Sequence, residues 1–205
     1  MSTILHLDCS PRVVGSVTRE LSSLAVTRVQ AVRKPCQLVY RDLGAGPPPA
    51  VTAAQAEAFF VPEHERSEAQ AASLALSDVL VDELLAADIL VVGMPMYNFT
   101  VPASFKAWID LIVRPHRTFR RTGPGQFEGL CPGKQAIICT ACSGAWLGGA
   151  SDHLRPYLRT VLALMGIKDV AFVDAEKLAR GDEARAASLD AARARIEAVA
   201  GALGA

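Results

Sequence analysis

Short apolar runs alternate along this chain with longer stretches of helical spacing. Thr3 to Leu7 (TILHL) is the first such run and reads as a buried strand. A polar turn, Asp8 to Ser16, leads into apolar residues at Val17, Leu21, Leu24, Ala25, Val29 and Val32, the spacing of one helix face. Gln37 to Asp42 (QLVYRD) predicts a second strand, and the Gly/Pro segment Gly44 to Pro49 a solvated surface loop. Residues 51–87, rich in Ala, Glu and Leu, predict two helices broken near Pro62. Asp88 to Gly93 (DILVVG) is apolar and β-branched, as a central strand buried on both faces should be. Pro102 opens a helix with Phe105, Ile109 and Ile112 on one face, ending before Pro115. Lys134 to Cys139 predicts a fourth strand, and Tyr157 to Met165 lies on a helix closed by Gly166. Asp169 to Asp174 predicts a fifth strand. Asp182 to Leu203 predicts an Ala-rich helix with Leu189, Ile196, Val199 and Leu203 facing inward.

Strand–helix alternation repeated five times predicts an α/β fold, a doubly wound parallel sheet with helices on both faces. No composition break marks a boundary and no internal repeat is visible, so residues 1–205 read as one domain. Among doubly wound arrangements, five strands fit the flavodoxin-like order 2-1-3-4-5. There a ligand sits where the strand order reverses, above the ends of strands 1 and 3. The loops after those strands are therefore where chemistry is expected.

Composition narrows the partners. Twenty-one basic residues balance twenty-one acidic ones, leaving no global field to attract nucleic acid or an acidic membrane surface. The N-terminus has neither a basic n-region nor a long apolar h-region, and no apolar run approaches the ~18 residues of a bilayer span. An odd number of cysteines, three of them in apolar or strand-like runs, suits reduced thiols in a cytoplasm.

The loop after strand 1, Cys9 to Thr18, ends on a helix N-terminus, where unpaired N–H groups and the positive dipole end suit a phosphate. Ser10, Ser16 and Thr18 can add hydroxyls, and Arg19 stands where a capping-box Glu would place a negative charge. Taken alone, Ser16 reads more simply as an N-cap. The loop after strand 3, Met94 to Pro102, is apolar and aromatic where a structural loop would be polar. Met96, Tyr97 and Phe99 could form a flat apolar bed, and Asn98 offers both donor and acceptor to the edge of a heterocycle. After strand 4, Ala141, Cys142, Ser143 and Gly144 are small enough for backbone N–H groups to approach a ligand.

Other signals are weaker. The first loop is not G-x-G-x-x-G, and Gly129 to Lys134 is one residue short of a Walker loop. Cys139 and Cys142 form a C-x-x-C without the second ligand pair zinc would need, and Cys139 lies on a strand instead of a helix N-terminus. Asp152 and His153 lack a G-x-S-x-G partner and read as the start of a helix. His6 reads as a packed core residue, and His64 and His116 have no metal-like spacing.

The run GMPMYNFTVPASFKAWIDLIVR (Gly93 to Arg114) resembles the FMN-dependent NADH-azoreductases, also called NADH:quinone reductases. So do ILHLDCSPR, RTFRRTGPGQFEGL and DHLRPYLRTVLALMGIKDV, in the expected order across nearly the whole chain. The resemblance implies FMN, with NADH or NADPH as electron donor and a quinone or azo compound as acceptor, in a ping-pong cycle. It implies that Ser10 and the Ser16, Val17 and Thr18 turn hold the phosphate and ribityl hydroxyls. Met96, Tyr97, Asn98 and Phe99 would contact the isoalloxazine, and Ala141, Cys142, Ser143 and Gly144 its pyrimidine edge. It further implies a homodimer with the pocket at the subunit interface, and Phe119 and Arg121 are candidate walls of the acceptor space. Three departures bear on acceptor preference. Ala141 to Gly144 replaces a Ser-Arg-Gly-Gly type loop, Arg121 stands where Tyr is common, and Cys9 replaces a frequent Ser. A flavodoxin-type electron carrier is the rival reading, but such carriers are strongly acidic and this chain is neutral. A scaffold that has lost its flavin is a third, motivated only by the altered fourth loop.

Overall fold

The computed structural model describes residues 1–204. The chain runs β1 (Ser2–Asp8), α1 (Val17–Val32), β2 (Cys36–Asp42), α2 (Ala53–Ala58), α3 (Glu68–Ala86), β3 (Ile89–Pro95) and α4 (Ala103–Ile112). It continues with β4 (Phe119–Gly123), β5 (Gln126–Gly129), β6 (Gln135–Ala141), α5 (Leu154–Leu164), β7 (Asp169–Ala175) and α6 (Asp182–Gly204). Five strands form a parallel sheet in the order β2-β1-β3-β6-β7. The architecture is a flavodoxin-like α/β sandwich.

The two-residue period of the strands divides the core between the sheet's faces. Ile89, Val91, Ile137, Cys139 and Val173 point toward α1 and α6, meeting Leu21, Ala25, Val29, Ile196 and Val199. Leu90, Val92, Met94 and Ile138 point the other way, onto Leu80 and Leu84 of α3, Phe105 and Trp108 of α4, and Leu158 and Leu162 of α5. Every residue of β3 is buried, which explains why that strand was the plainest in the sequence. Helix starts follow local chemistry. Thr52 with Gln55 and Ser67 with Gln70 form capping boxes at α2 and α3. At α5 the Asp152 carboxylate accepts the N–H groups of Leu154 and Arg155, each at 3.0 Å.

The parallel sheet has the five strands expected, but the chain has seven, and the order along the chain is corrected accordingly. Residues 114–130, for which no strand was expected, contain the antiparallel hairpin β4–β5, so the numbering 2-1-3-4-5 gives way to β2-β1-β3-β6-β7. The hairpin strands are short and exposed, with no apolar alternation to announce them. They are anchored by backbone. Cys131 N–H donates to the Met165 carbonyl at 2.8 Å, and Gly129 lies directly against Gly166, whose φ of +93° closes α5. The expected break near Pro62 separates α2 from α3 and contains a 3-10 turn, Glu63–Glu65. Asp88 lies outside β3, where its carboxylate accepts the Thr3 N–H at 2.8 Å.

Candidate functional site

At the carboxyl ends of the strands, the loops after β1, β3 and β6 enclose a slot of about 460 Å³. This is the place where the strand order reverses between β1 and β3. The β1 loop supplies Ser10, Arg12, Gly15, Ser16, Val17 and Thr18. Pro95, Met96 and Tyr97 come from β3, and Ala141, Cys142 and Ser143 from β6. Leu178 and Ala179 close the far side from the loop after β7.

The first turn of α1 differs from an ordinary cap. Ser16 occupies the N-cap position, but its hydroxyl makes no capping bond and instead pairs with the Thr18 hydroxyl at 3.3 Å. Both side chains are buried against the slot, beside the unpaired N–H groups and positive end of a 16-residue helix. The N-cap interpretation of Ser16 is thus only half right: the position is the cap, the side chain is not. Gly15, at φ +69°, provides the backbone turn into the helix.

Below this turn lies a polar network centred on the buried Asp8 and Ser22 and reaching the half-exposed Tyr40. Asp8, at the end of β1, accepts hydrogen bonds from the Ser22 hydroxyl at 2.9 Å and the Tyr40 hydroxyl at 3.1 Å. Burial and the Asp8 carboxylate push the Tyr40 phenol up to about 12, so it stays a donor. Gly93 of β3 makes room for the network. A Cβ there would lie 2.5 Å from Asp8 Oδ1 and 2.9 Å from Ser22 Oγ.

At the other end, Asn98 and Phe99 form a two-residue turn with φ of +48° and +69°, and Tyr97 and Thr100 exchange both backbone hydrogen bonds at 3.0 Å. A phenylalanine in left-handed conformation costs on the order of 1–3 kcal/mol, so surrounding contacts must hold it. They do: the Phe99 carbonyl accepts the His153 N–H at 3.0 Å, and its ring meets Trp146 edge-on at 5.6 Å. The Trp146 indole lies over Gly144, where a Cβ would be 2.6 Å from Cε2. The β6 loop is fastened to the β7 loop. The Lys177, Leu178 and Ala179 N–H groups donate to the carbonyls of Gly144, Cys142 and Ser143 at 2.8, 3.3 and 3.2 Å. Among the described residues, the N–H groups of Ser143 and Gly144 have no partner of their own.

Nine sequence-predicted residues line the slot together: Ser10, Ser16, Val17, Thr18, Met96, Tyr97, Ala141, Cys142 and Ser143. Asn98, Phe99 and Gly144 do not line it within this chain; they build its rim, in the strained turn and beneath Trp146. Phe119 and Arg121 are elsewhere, on the β4–β5 hairpin, where Phe119 packs against Phe127 and the Arg121 side chain donates to the Gly123 carbonyl. Sequence reasoning missed Arg12, Gly15, Pro95, Leu178 and Ala179. The first three stood in quoted loops, but the β7 loop carried no motif and arrives by sheet pairing alone.

The C-x-x-C cysteines are free and buried, and burial is the leading reason that the thiols of Cys139 and Cys142 are both raised. Neither is a thiolate at neutral pH. Iodoacetamide at pH 7.5 is therefore expected to label Cys36, the one cysteine that is not buried, ahead of the other four, as peptide mapping can verify. Rapid labelling of Cys142 in the native protein would contradict this. Among the described residues no cluster of His, Cys, Asp and Glu could hold a metal ion, and no helix is long and apolar enough to cross a membrane.

Comparison with known proteins agrees with this geometry. A family model described as a flavodoxin-like fold matches residues 2–200. FMN-dependent NADH:quinone oxidoreductase 2 of Pseudomonas putida is 42% identical over 200 residues, 98% of this chain and all of the relative. FMN-dependent NADH:quinone oxidoreductase of Nostoc punctiforme is 45% identical over 201 residues, 96% of this chain and 97% of the relative. The crystal structure of an FMN-dependent NADH-azoreductase from Bacillus anthracis in complex with FMN superposes with a TM-score of 0.87 at 19% identity, covering the whole of both chains, and so shares the fold. With the family model matched from Ser2 to Ala200 and full-length relatives above 40% identity, this chain belongs to the flavodoxin-like family, alongside the FMN-dependent NADH:quinone oxidoreductases.

Proposed function

We propose that this protein is an FMN-dependent NAD(P)H:quinone oxidoreductase that also reduces azo compounds, built as one FMN-binding domain. The observation that carries the reading is the slot's polarity. Hydroxyls and a helix N-terminus lie at one end, apolar and flat groups in the middle, and open backbone N–H groups at the other end. Its size falls within the range of small-molecule sites. These are the features a phosphorylated tricyclic cofactor needs, and the residues present fit FMN.

Ser10, Ser16, Thr18 and the N–H of Val17 hold the phosphate and ribityl hydroxyls by uncharged donors at the positive end of α1. Met96 and Tyr97 form a wall for the ring, with the Asn98–Phe99 turn and Trp146 at its rim. The Ser143 N–H on the slot's wall, with Gly144 behind it at the rim, would meet the pyrimidine edge of FMN, where a fixed donor stabilises developing negative charge without reorganisation. When bound, FMN supplies the two-electron chemistry, from NADH or NADPH to a quinone or azo acceptor in ping-pong order. No side-chain nucleophile is needed. The protein orients the partners and excludes water. In the homodimer of this reading, Phe119 and Arg121 serve the partner's acceptor space, since neither lines the slot of its own chain. Free thiols support a cytoplasmic location, and balanced charge supports a small-molecule acceptor over nucleic acid or membrane.

The test is direct. The purified protein should be yellow, release FMN on denaturation, and oxidise NADH or NADPH at a rate that depends on benzoquinone or menadione. Protein saturated with FMN that shows no quinone-dependent oxidation of either nucleotide would overturn the assignment. Flavin binding without turnover would favour the electron carrier.

A further inference from the structure

Arg19 stands in the first turn of α1 with its side chain drawn inside the fold, and a charge-based reading makes it a phosphate ligand. Its donors say otherwise. A guanidinium has five N–H groups. Nε donates to the Ser10 carbonyl at 3.2 Å, and Nη2 donates both to that carbonyl and to Asp42 Oδ1 at 2.7 Å. Nη1 donates to Asp42 Oδ2 at 2.7 Å and to the Tyr40 hydroxyl at 3.2 Å, with Asp8 Oδ2 at 3.5 Å. Every donor is committed within the chain, and the side chain is only 12% exposed. Arg19 is not among the residues lining the slot.

Asp42 in turn holds the loop after β2, its Oδ1 accepting the Gly44 and Ala45 N–H groups at 3.0 and 2.9 Å. That loop brings Gly44 so close that a Cβ would run into the Ser10 carbonyl and come within 2.9 Å of Pro11 N. The Ser10 carbonyl is therefore gripped by Arg19 on one side and buttressed by Gly44 on the other, and neither residue lines the slot. A carbonyl free to rotate into the slot would set a negative dipole against a phosphate.

Resting on the assignment of FMN to the slot, we infer that Arg19 is a positioning residue for the phosphate end and not a phosphate ligand. Together with Asp42 it locks the Ser10 carbonyl away from the slot, so that the turn presents hydroxyl and N–H donors. Selectivity for phosphorylated flavin then depends on an ion pair that never touches the ligand.

FMN and riboflavin, which share the ring and differ in the phosphate, separate the possibilities when their affinities are measured by flavin fluorescence titration. Arg19→Lys keeps the charge but cannot span Ser10 O and both Asp42 oxygens. It is expected to weaken FMN by about 10-fold or more, the scale of a lost charge-assisted hydrogen bond, and riboflavin by no more than about 2-fold. Asp42→Asn discriminates by sign and serves alone should Arg19→Lys fail to fold. Under positioning it weakens FMN selectively. Were Arg19 a ligand, releasing it from Asp42 would leave FMN binding unchanged or tighter, and that result overturns the inference. Equal losses for FMN and riboflavin in either variant, or none, overturn it too. Wild-type protein that does not prefer FMN to riboflavin would instead refute the FMN assignment itself.

Discussion

Gly44→Ala is expected to lose its flavin on purification and to cost about 3 kcal/mol of stability, at the upper end of overpacking penalties. No unusual φ is involved. The reason is close approach: the added methyl would occupy the space of the Ser10 carbonyl and lie 2.9 Å from Pro11 N, all of it backbone that cannot swing aside. Relief requires the β1 and β2 loops to part, which breaks the Gly44 N–H bond to the Asp8 carbonyl, 3.0 Å in the native protein, and displaces the turn that carries Ser10. Gly46→Ala is the control. Its Cβ would meet only the Asp42 carbonyl at 3.5 Å, an ordinary contact, so its stability should stay within about 0.5 kcal/mol of wild type. Urea midpoints and the flavin absorbance of the isolated proteins measure both effects. A Gly44→Ala protein that is as stable and as yellow as wild type would mean that the two loops do not meet.

The second large effect lies far from the slot, at Asp78. Arg114, at the end of α4, is 0% exposed, yet its guanidinium is only partly satisfied. Nη1 donates to the Ser77 hydroxyl and, at 3.2 Å, to Asp78; the carbon Cζ lies 4.7 Å over the Phe59 ring; Nε and Nη2 have no partner among the described residues. Burial is the first reason that its pKa is depressed, and the carboxylate of Asp78 the first opposing it. Arg66 and Arg117 approach the same carboxylate at 3.8 and 3.4 Å. Asp78→Ala would leave a buried cation facing two others. Breaking a buried pair in this way costs about 3–5 kcal/mol, and the lower figure applies because Asp78 is itself partly open to solvent. For a chain of this size that corresponds to a fall in Tm of roughly 10 °C. Adding Arg114→Met to Asp78→Ala removes the stranded charge and should recover more than half of the loss. A double variant no more stable than Asp78→Ala would show that the carboxylate acts on Arg66 and Arg117 instead.

Much of this was legible from the order of residue types. The central strands β1, β3 and β6 announced themselves because a strand buried on both faces must be apolar along its length, as Ile89 to Val92 is. The slot's near wall was legible for a related reason: Met96 and Tyr97 put apolar surface at a strand end where solvent would favour polar groups. The hairpin was not legible, since Phe119 to Gly129 is polar, exposed and held by Gly129 against Gly166, a contact between glycines that no periodicity records. Trp146 could be read as an aromatic in a Gly-rich loop, but not as the cover of Gly144 and neighbour of Phe99.

Sequence by itself determined which segments form the parallel sheet and its covering helices, and that the loops after β1, β3 and β6 converge, because hydrophobic period and connection handedness are local rules with few solutions. Tertiary structure alone decided what the polar residues do. Arg19 stood out in the sequence only as the absence of a capping-box Glu and is bound up with Asp42 and Ser10; Ser16 looked like a cap and pairs with Thr18; Gly44 looked like loop and is a point of backbone contact. Hydrogen-bonding groups have several possible partners within reach of any given fold, and which ones they find depends on ångström-scale placement of chain segments that are distant in sequence.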